Sequence, residues 1–327
     1  MKNSFQLVAI HTNTSAVYLC TNQELQVEAR EEGFDFIFGT DVANNELSFL
    51  FESKFEPYQE YSRTDIKGID LVLKLGDSFI RALEVKLTVI PDNTTANDRE
   101  SDWGTELVIR PASTSYAALG IFDSIKPFRA RLKEILEPTC STIQHWDNTV
   151  EMLSKREEII GCLNKIFTEF KDYQKPFLLH PIWKTLGKSP IIDKGNAYDI
   201  FVWSDFAICR TFIDCASRER DVGKVTRLYR STLRLARILY ELTQTDKVNI
   251  HNIYTQMAFN LQTDKEFALN GKMTRRFMNH PRRYNPIMKL SSITNVIMNG
   301  GHKELSPERR FDQSLYYTAQ ELFKDDA

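Results

Sequence analysis

Cysteine and histidine are scarce in this sequence, and their spacing matches no disulfide framework or metal-binding pattern. The five cysteines are an odd number, are widely scattered and include no Cys-x-x-Cys pair. None of the six histidines is spaced with a cysteine as zinc ligands are. We therefore expect reduced thiols and no structural zinc.

Long hydrophobic runs are also absent. The N-terminal segment contains only a short apolar run at residues 5–10, and no later stretch reaches the roughly 20 apolar residues of a membrane-spanning helix. The sequence thus predicts neither export nor a membrane partner, and a cytoplasmic location is expected.

Three common catalytic signatures are missing as well. The sequence contains no Gly-rich phosphate-binding loop, no Gly-x-Ser-x-Gly elbow and no His-Glu-x-x-His motif. Their absence removes nucleotide-driven enzymes, serine hydrolases and zinc proteases as leading interpretations.

What is present is an ordinary globular composition with an uneven charge distribution. The 327 residues are 42% hydrophobic and 26% charged, which suits one large domain or two closely packed ones. The net charge is −2, but residues 215–310 carry +10 whereas residues 1–214 carry −9. The basic part suggests a surface for a polyanion, although a solvated helical face would give the same asymmetry.

The most informative stretch is residues 65–88, DIKGIDLVLKLGDSFIRALEVKLT, which predicts a β-hairpin. Two alternating apolar runs, at residues 69–75 and 79–87, flank Gly76-Asp77-Ser78, a sequence typical of hairpin loops. A three-residue loop separates the side chains into an apolar face, which we expect to face the core, and a charged face. A loop of another length would mix the two faces, so the pattern fixes the register.

In this register Asp70 lies opposite Glu84, and Lys86 projects from the same face. Two opposed carboxylates repel each other unless a positive group lies between them. Mg²⁺ is the natural candidate, since it binds one or two protein carboxylates and completes its shell with water and phosphate. In the alternative interpretation the acids are solvated charges at a sheet edge, and Lys86 is only their salt-bridge partner.

Asp, a spacer of this length and Glu-x-Lys on an antiparallel pair resemble the signature of the PD-(D/E)XK nucleases, with Gly68-Ile69-Asp70 in place of the literal Pro-Asp. More specifically, the sequence is similar to the HindVP-type type II restriction endonucleases. The resemblance is carried by GIDLVLKLGDSFIRALEVKLTVIPDNTT (residues 68–95), WGTELVIRP, FVWSDFA and SPERRFD. It implies that Asp70, Glu84 and the backbone carbonyl of Val85 bind Mg²⁺, and that Asp70, Glu84 and Lys86 are the catalytic residues.

The resemblance also implies the fold and the partners. We expect a restriction-endonuclease-like central mixed β-sheet flanked by helices, with a nuclease core at 1–214 that carries the hairpin 68–88. Residues 215–327 are expected to form a largely helical, basic DNA-binding part packed on this core. The implied substrate is double-stranded DNA, cut by a homodimer at a GC-rich site of the GRCGYC kind, and the implied system includes a cognate DNA methyltransferase that shares the site without having to bind this chain. A structure-specific repair or recombination nuclease, or a DNA-binding protein without activity, remains an alternative.

Outside the hairpin, the sequence pattern predicts a series of secondary-structure elements. The predicted strands, helices and connection are strands at 5–10, 16–20, 34–38, 106–110 and 198–203, helices at 23–32, 45–61, 151–173 and 226–242, a helix from residue 113, and a Pro- and Gly-rich connection at 176–196. Members of the nuclease superfamily often carry another acidic ligand before the hairpin, for which Glu46, Glu52 and Glu60 are candidates.

Arginines supply the candidate DNA contacts. Arg110 follows the loop that leaves the Glu84 strand and could contact a phosphate. Along the helix at 226–242, Arg227, Arg230 and Arg234 recur at helical spacing, as a phosphate-tracking surface would, or as a helix packed on an acidic neighbour would. In the segment 272–283, KMTRRFMNHPRR, the residues expected to reach base edges are Arg275, Arg276, Arg282 and Arg283.

Overall fold

The molecule combines one large mixed β-sheet with a layer of helices packed on it, which confirms the predicted fold class. The computed structural model describes residues 3–10, 15–21, 27–32, 47–86, 88–90, 107–184, 198–219, 222–260 and 267–269. Within these ranges no helix has the length and apolar character needed to cross a membrane.

The described strands form two sheets. The strands are β1 (Asn3–Ile10), β2 (Ser15–Thr21), β3 (Val27–Glu32), β4 (Leu47–Ser53), β5 (Ile69–Leu75), β6 (Ser78–Val85), β7 (Thr88–Ile90), β8 (Leu107–Ile109), β9 (Pro176–Lys184), β10 (Tyr198–Ser204) and β11 (Phe267–Leu269). The large sheet has the order β3-β2-β1-β10-β9-β6-β5-β4, with β7 also paired to β9, while β8 and β11 form a separate pair. The pairs β6–β9 and β7–β9 are parallel and the other described pairs are antiparallel. The hairpin β5–β6 joins the rest of the sheet through the pairing of β6 with β9.

Seven α-helices and three 3-10 turns lie in the described part of the chain. They are α1 (Pro111–Ile125), α2 (Arg129–Cys140), α3 (Thr149–Ser154), α4 (Arg156–Glu169), α5 (Asp205–Ser217), α6 (Arg227–Thr245) and α7 (Ile250–Gln256), with 3-10 turns at Glu56–Tyr61, Lys126–Phe128 and Lys171–Tyr173. The start of α6 is fixed by Thr226, whose hydroxyl accepts a hydrogen bond from the Tyr229 amide at 3.1 Å. Its end is fixed by Asp246, which adopts a left-handed conformation with φ 59°.

The core lies between the sheet and the helices. Side chains of α1, α2, α4, α5 and α6 share one apolar cluster with Val72, Ala82, Leu178 and Trp203 of the sheet. Val72 and Ala82 belong to the hairpin face that carries the acids, so this face packs on the helices, which we did not expect. The opposite face is buried too, since Leu73 and Leu83 have no exposed surface.

The start of α5 holds a buried acid. Ser204 caps the helix by accepting a hydrogen bond from the Ala207 amide at 2.9 Å. Asp205 accepts hydrogen bonds from the backbone amides of Lys175 at 3.0 Å and Phe206 at 2.8 Å. Burial raises the pKa of Asp205 to about 7, although these donors and the charge of Lys175 oppose the shift. Asp205 thereby ties the start of α5 to the segment that leads into β9.

Several predicted elements are wrong in type. Residues 27–32 and 47–53 are strands rather than helices. The run LSFLF alternates with period two as well as fitting a helical stripe, and pairing of β4 with β5 decides in favour of the strand. The single helix predicted at 151–173 is divided at Lys155 and followed by a 3-10 turn. The strand predicted at 34–38 lies outside the described residues.

The connection predicted at 176–196 contains β9, which the prolines concealed. Pro181 lies within this internal strand, where a missing N–H would ordinarily break a ladder. The Leu179 carbonyl accepts a hydrogen bond from the Lys86 amide at 2.8 Å, so Pro181, two residues on, directs its nitrogen toward the same side. At that height β6 has ended and β7 has not begun, and no ladder hydrogen bond is lost.

Candidate active site

The hairpin places the two predicted acids side by side, by a route that differs from the prediction. Its loop has two residues, Gly76 and Asp77, rather than three, and Gly76 adopts the left-handed φ of 56°. This shorter loop would shift every pair by one residue. A bulge in β6 opposite the Leu73–Lys74 step restores the predicted register, in which Leu71 pairs with Leu83. Asp70 and Glu84 are the next residues along the two strands.

Three oxygen atoms surround the Lys86 ammonium group. Lys86 Nζ lies 3.4 Å from Asp70 Oδ2 and 3.3 Å from the Val85 carbonyl oxygen, and it forms an ion pair with Glu84 Oε1. Asp70 Oδ2 also accepts a hydrogen bond from the Val85 amide at 2.8 Å. The atoms that the resemblance assigns to the cation thus converge on one positively charged group.

Burial shifts the pKa values of the charged groups in this cluster. Glu84 is only 4% exposed, and burial raises its pKa while the charge of Lys86 partly opposes the shift. Burial lowers the pKa of Lys86, but Glu84 and Asp70 raise it by more, so its pKa is raised overall. Lys86 is therefore an ammonium at neutral pH, and it balances much of the negative charge of the two carboxylates.

Hard oxygen ligands from two carboxylates and one carbonyl suit Mg²⁺ or a similar divalent ion. The described residues contain no cluster of three His, Cys, Asp or Glu side chains that could hold a metal, and the oxygen donors found around Lys86 are those of the acid pair and the Val85 carbonyl. These three groups fit a small cation that also takes oxygen ligands from water and phosphate.

The neighbouring strands β4 and β9 hold the hairpin segment in place. Glu84 pairs with Leu178 of β9 in parallel fashion. On the other side, a Cβ atom on Gly68 would lie 2.7 Å from the Glu52 carbonyl oxygen, so β4 and the start of β5 approach more closely than any side chain allows. Glycine at position 68 is therefore a requirement of packing, two residues before Asp70.

Of the two described candidates for an additional acid, Glu52 lies on the strand beside Asp70. The β4–β5 register runs from Phe51–Leu71 to Ser53–Ile69, which places Glu52 beside Asp70, and Glu52 has a left-handed φ of 48°. Glu60 instead pairs with Lys126 at 3.2 Å. Glu46 lies outside the described residues.

Helix α1 contributes contacts that the sequence analysis missed. The Ser113 side chain hydrogen-bonds to Glu84. The Tyr116 hydroxyl donates to the Lys67 carbonyl at 2.8 Å and accepts from the Phe55 amide at 3.1 Å. Residues 113 and 116 are three apart and so lie on one helix face. Since a helix was predicted from residue 113, this spacing was the available sequence pattern.

The predicted DNA-contacting arginines lie in different environments. Arg110 is exposed at the N terminus of α1, and Arg227 is half-buried at the start of α6. Arg230 and Arg234 are in the core, at 1% and 4% exposure, and Arg234 Nη2 donates to the carbonyls of Tyr254 at 3.0 Å and Met257 at 2.8 Å. Because Arg230 and Arg234 are buried, we remove them from our set of phosphate contacts. The regular spacing of these two arginines reflects their packing in the core. Arg275, Arg276, Arg282 and Arg283 lie outside the described residues.

Comparison with known proteins places this chain in a family. The family model described as HindVP restriction endonuclease matches residues 4–323. The type II restriction enzyme HgiDI of Herpetosiphon aurantiacus is 36% identical over 308 residues, which cover 94% of this chain and 85% of that protein. The probable type II restriction enzyme HindVP of Haemophilus influenzae is 34% identical over 267 residues, covering 80% and 79% of the two chains. No solved structure gives a significant match. The chain belongs to the HindVP restriction endonuclease family, whose type II restriction enzymes are site-specific deoxyribonucleases.

Proposed function

We propose that this chain cuts both strands of DNA at a short specific sequence, with Mg²⁺ held by Asp70, Glu84 and the Val85 carbonyl. The observation that carries the proposal is the convergence of these three oxygens on the Lys86 ammonium. A cluster of acids that already surrounds one positively charged group is suited to holding a divalent ion.

The reaction is hydrolysis of a phosphodiester. Water attacks phosphorus, and the bond between phosphorus and the 3′-oxygen breaks. One fragment then ends in a 3′-hydroxyl and the other in a 5′-phosphate. When bound, a divalent cation supplies Lewis-acid stabilisation of the charge that develops on the phosphate. Lys86 holds or orients the attacking water or a phosphate oxygen once its ammonium is released from the carboxylates. Arg110, exposed at the N terminus of α1, is suited to a neighbouring phosphate.

Sequence recognition is assigned to the basic C-terminal part. Arg275, Arg276, Arg282 and Arg283 are proposed to reach base edges, and Arg227 a phosphate. The boundary at residue 214 separates the proposed roles of cleavage and DNA recognition. It does not separate two cores, because α6 shares its core with α1 and α5. A two-fold DNA site suits a homodimer. The GRCGYC-like site is proposed from the resemblance to the HindVP-type enzymes alone.

The test is digestion of plasmid DNA that contains GRCGYC sites by the pure protein with Mg²⁺. We expect discrete fragments whose mapped ends share one sequence, and no cutting by the Asp70→Asn variant or in EDTA. Asp65→Asn is the matched control, since Asp65 is an exposed acid five residues away that pairs with Lys54. A smear, or cutting of branched DNA only, would favour the structure-specific alternative. Full activity of Asp70→Asn would refute the assigned site.

A further inference from the structure

Three consecutive hydroxyl residues open helix α1, and they do not make the same contacts. The Thr114 hydroxyl donates to the Arg110 carbonyl at 3.3 Å, and the Ser115 hydroxyl donates to the Pro111 carbonyl at 2.9 Å. Such back-bonding to the preceding turn is the usual contact of a helical Ser or Thr. The Ser113 side chain instead hydrogen-bonds to Glu84, which lies on β6.

We propose that Ser113 is a positioning residue that fixes the Glu84 carboxylate in the orientation needed to bind the catalytic divalent cation. This inference rests on the proposed function, because it gives Glu84 the role of a metal ligand. Ser113 itself touches neither substrate nor cation. Its contribution is to hold one carboxylate rotamer, so that binding the ion does not require the side chain to be ordered first.

The surroundings leave Glu84 few other donors. Its side chain is 6% exposed, and its other side-chain partner among the described residues is Lys86, whose ammonium also contacts Asp70 and the Val85 carbonyl. Since a cation that enters this cluster competes with the ammonium, Ser113 is the contact that can persist when Lys86 moves. A neutral hydroxyl does not repel the cation, and it leaves most of the carboxylate lone pairs available.

Helix α1 holds Ser113 firmly in register with the hairpin. Ser113 is 2% exposed, and Tyr116, on the same helix face, bridges the Lys67 carbonyl and the Phe55 amide. Ser113 is the third residue of the 15-residue helix, so the first turn of α1 lies next to Glu84, and the helix dipole favours negative charge there. One helix thus positions the segment before Asp70 through Tyr116 and the Glu84 carboxylate through Ser113.

Removing a group that orients a metal ligand typically weakens metal binding by about 10- to 100-fold. We therefore expect Ser113→Ala to bind Mn²⁺ about 10-fold more weakly. Ser113→Thr retains a hydroxyl and should stay within about 3-fold of wild type. Ser115→Ala is the matched control, because Ser115 is a buried serine of the same turn whose hydroxyl contacts Pro111 and Tyr254 instead.

The experiment measures Mn²⁺ binding to the full chain without DNA, from the electron paramagnetic resonance signal of free Mn²⁺. Wild type, Asp70→Asn and the three serine variants are compared, after thermal melting has shown that each is folded. Weaker binding by Ser113→Ala, with near-normal binding by Ser113→Thr and Ser115→Ala, supports the assignment. A loss shared by Ser115→Ala, or an absence of rescue in a folded Ser113→Thr, would overturn it.

The two proposals fail in distinguishable ways. If Asp70→Asn loses Mn²⁺ while Ser113→Ala binds it as wild type does, the positioning role is wrong and the metal site stands. If wild type binds no Mn²⁺, or Asp70→Asn binds it normally, the metal site itself is wrong, and the role of Ser113 is overturned with it.

Discussion

Lys86 is expected to compete with a divalent cation for the same oxygens, and this competition can be measured as stability. Replacing Lys86 by Met keeps the aliphatic stem and removes only the charge. In the variant, Asp70 and the buried Glu84 face each other without a positive group between them. The variant should therefore be destabilised without metal and should regain more stability than wild type when metal is added.

The magnitude follows from the burial of the three side chains. Removing one partner from a fully buried ion pair costs about 3–5 kcal/mol. Here the side chains of Glu84, Lys86 and Asp70 are 6%, 18% and 30% exposed, so water screens part of the uncompensated charge. We therefore expect Lys86→Met to cost about 3 kcal/mol of unfolding free energy. For a chain of this size, about 2 °C of Tm per kcal/mol gives a decrease of about 6 °C. Metal at about 100 times its Kd should return about 2.7 kcal/mol.

The assay is thermal melting in EDTA and in Mg²⁺, with Lys126→Met as the control. Lys126 also pairs with a carboxylate, that of Glu60, but their side chains are 49% and 58% exposed, so its loss should cost less than about 1 kcal/mol in either buffer. Equal Tm values for Lys86→Met and wild type in EDTA would refute the balancing role of the ammonium. An equal response of both proteins to Mg²⁺ would refute the competition.

Three further outcomes test other parts of the structure. Gly68→Ala should cost about 1–3 kcal/mol in unfolding free energy and abolish cleavage, because the new Cβ would lie 2.7 Å from a backbone oxygen; Gly161→Ala, with open space around it, should be neutral or slightly stabilising. Since the folded protein retains the Asp205 proton up to about pH 7 while the unfolded chain loses it near pH 4, wild-type stability should fall with rising pH across that range. Urea unfolding should show it losing about 3 kcal/mol relative to Asp205→Asn between pH 5 and 8, and parallel pH profiles would disprove the shift. Arg110→Ala should weaken DNA binding and reduce its salt dependence, whereas Arg234→Met should mainly lower Tm, because two carbonyls lose their donor; the reverse result in binding titrations would contradict this assignment.

The sequence was sufficient for the hairpin because side-chain alternation constrains register more tightly than it constrains the turn. Only one register keeps the leucines on one face and the acids on the other. The loop was predicted with one residue too many, yet the pairing of Leu71 with Leu83 is as expected, since the bulge in β6 compensates for the shorter turn. Burial of both faces, however, could not be deduced from the hairpin alone.

The arginine ladder of α6 shows where periodicity fails. Spacing of three and four residues places Arg230, Arg234 and Arg237 on neighbouring turns, whether that side of the helix meets DNA or protein. Here Arg234 donates to carbonyls, and Arg237 pairs with Glu241 at 2.9 Å. Which surface a helix presents depends on the elements packed around it, and one sequence gives no direct access to those contacts. The same limit hid β9, in which Pro181 is tolerated because it lies where the neighbouring strand changes from β6 to β7.

The acid pair lies on the face that the helices cover, and this placement explains why the site needs donors from several elements. A buried carboxylate without compensating contacts would take up a proton and bind cations poorly. Asp70 receives the Val85 amide, Glu84 receives the Ser113 hydroxyl, and both face the Lys86 ammonium. The amide comes from the adjoining hairpin strand and the hydroxyl from α1, so the shape of the site depends on how the helix packs on the hairpin. Disturbing that packing should therefore impair metal binding before it unfolds the protein, because a carboxylate displaced by about 1 Å is lost as a ligand while the core remains closed.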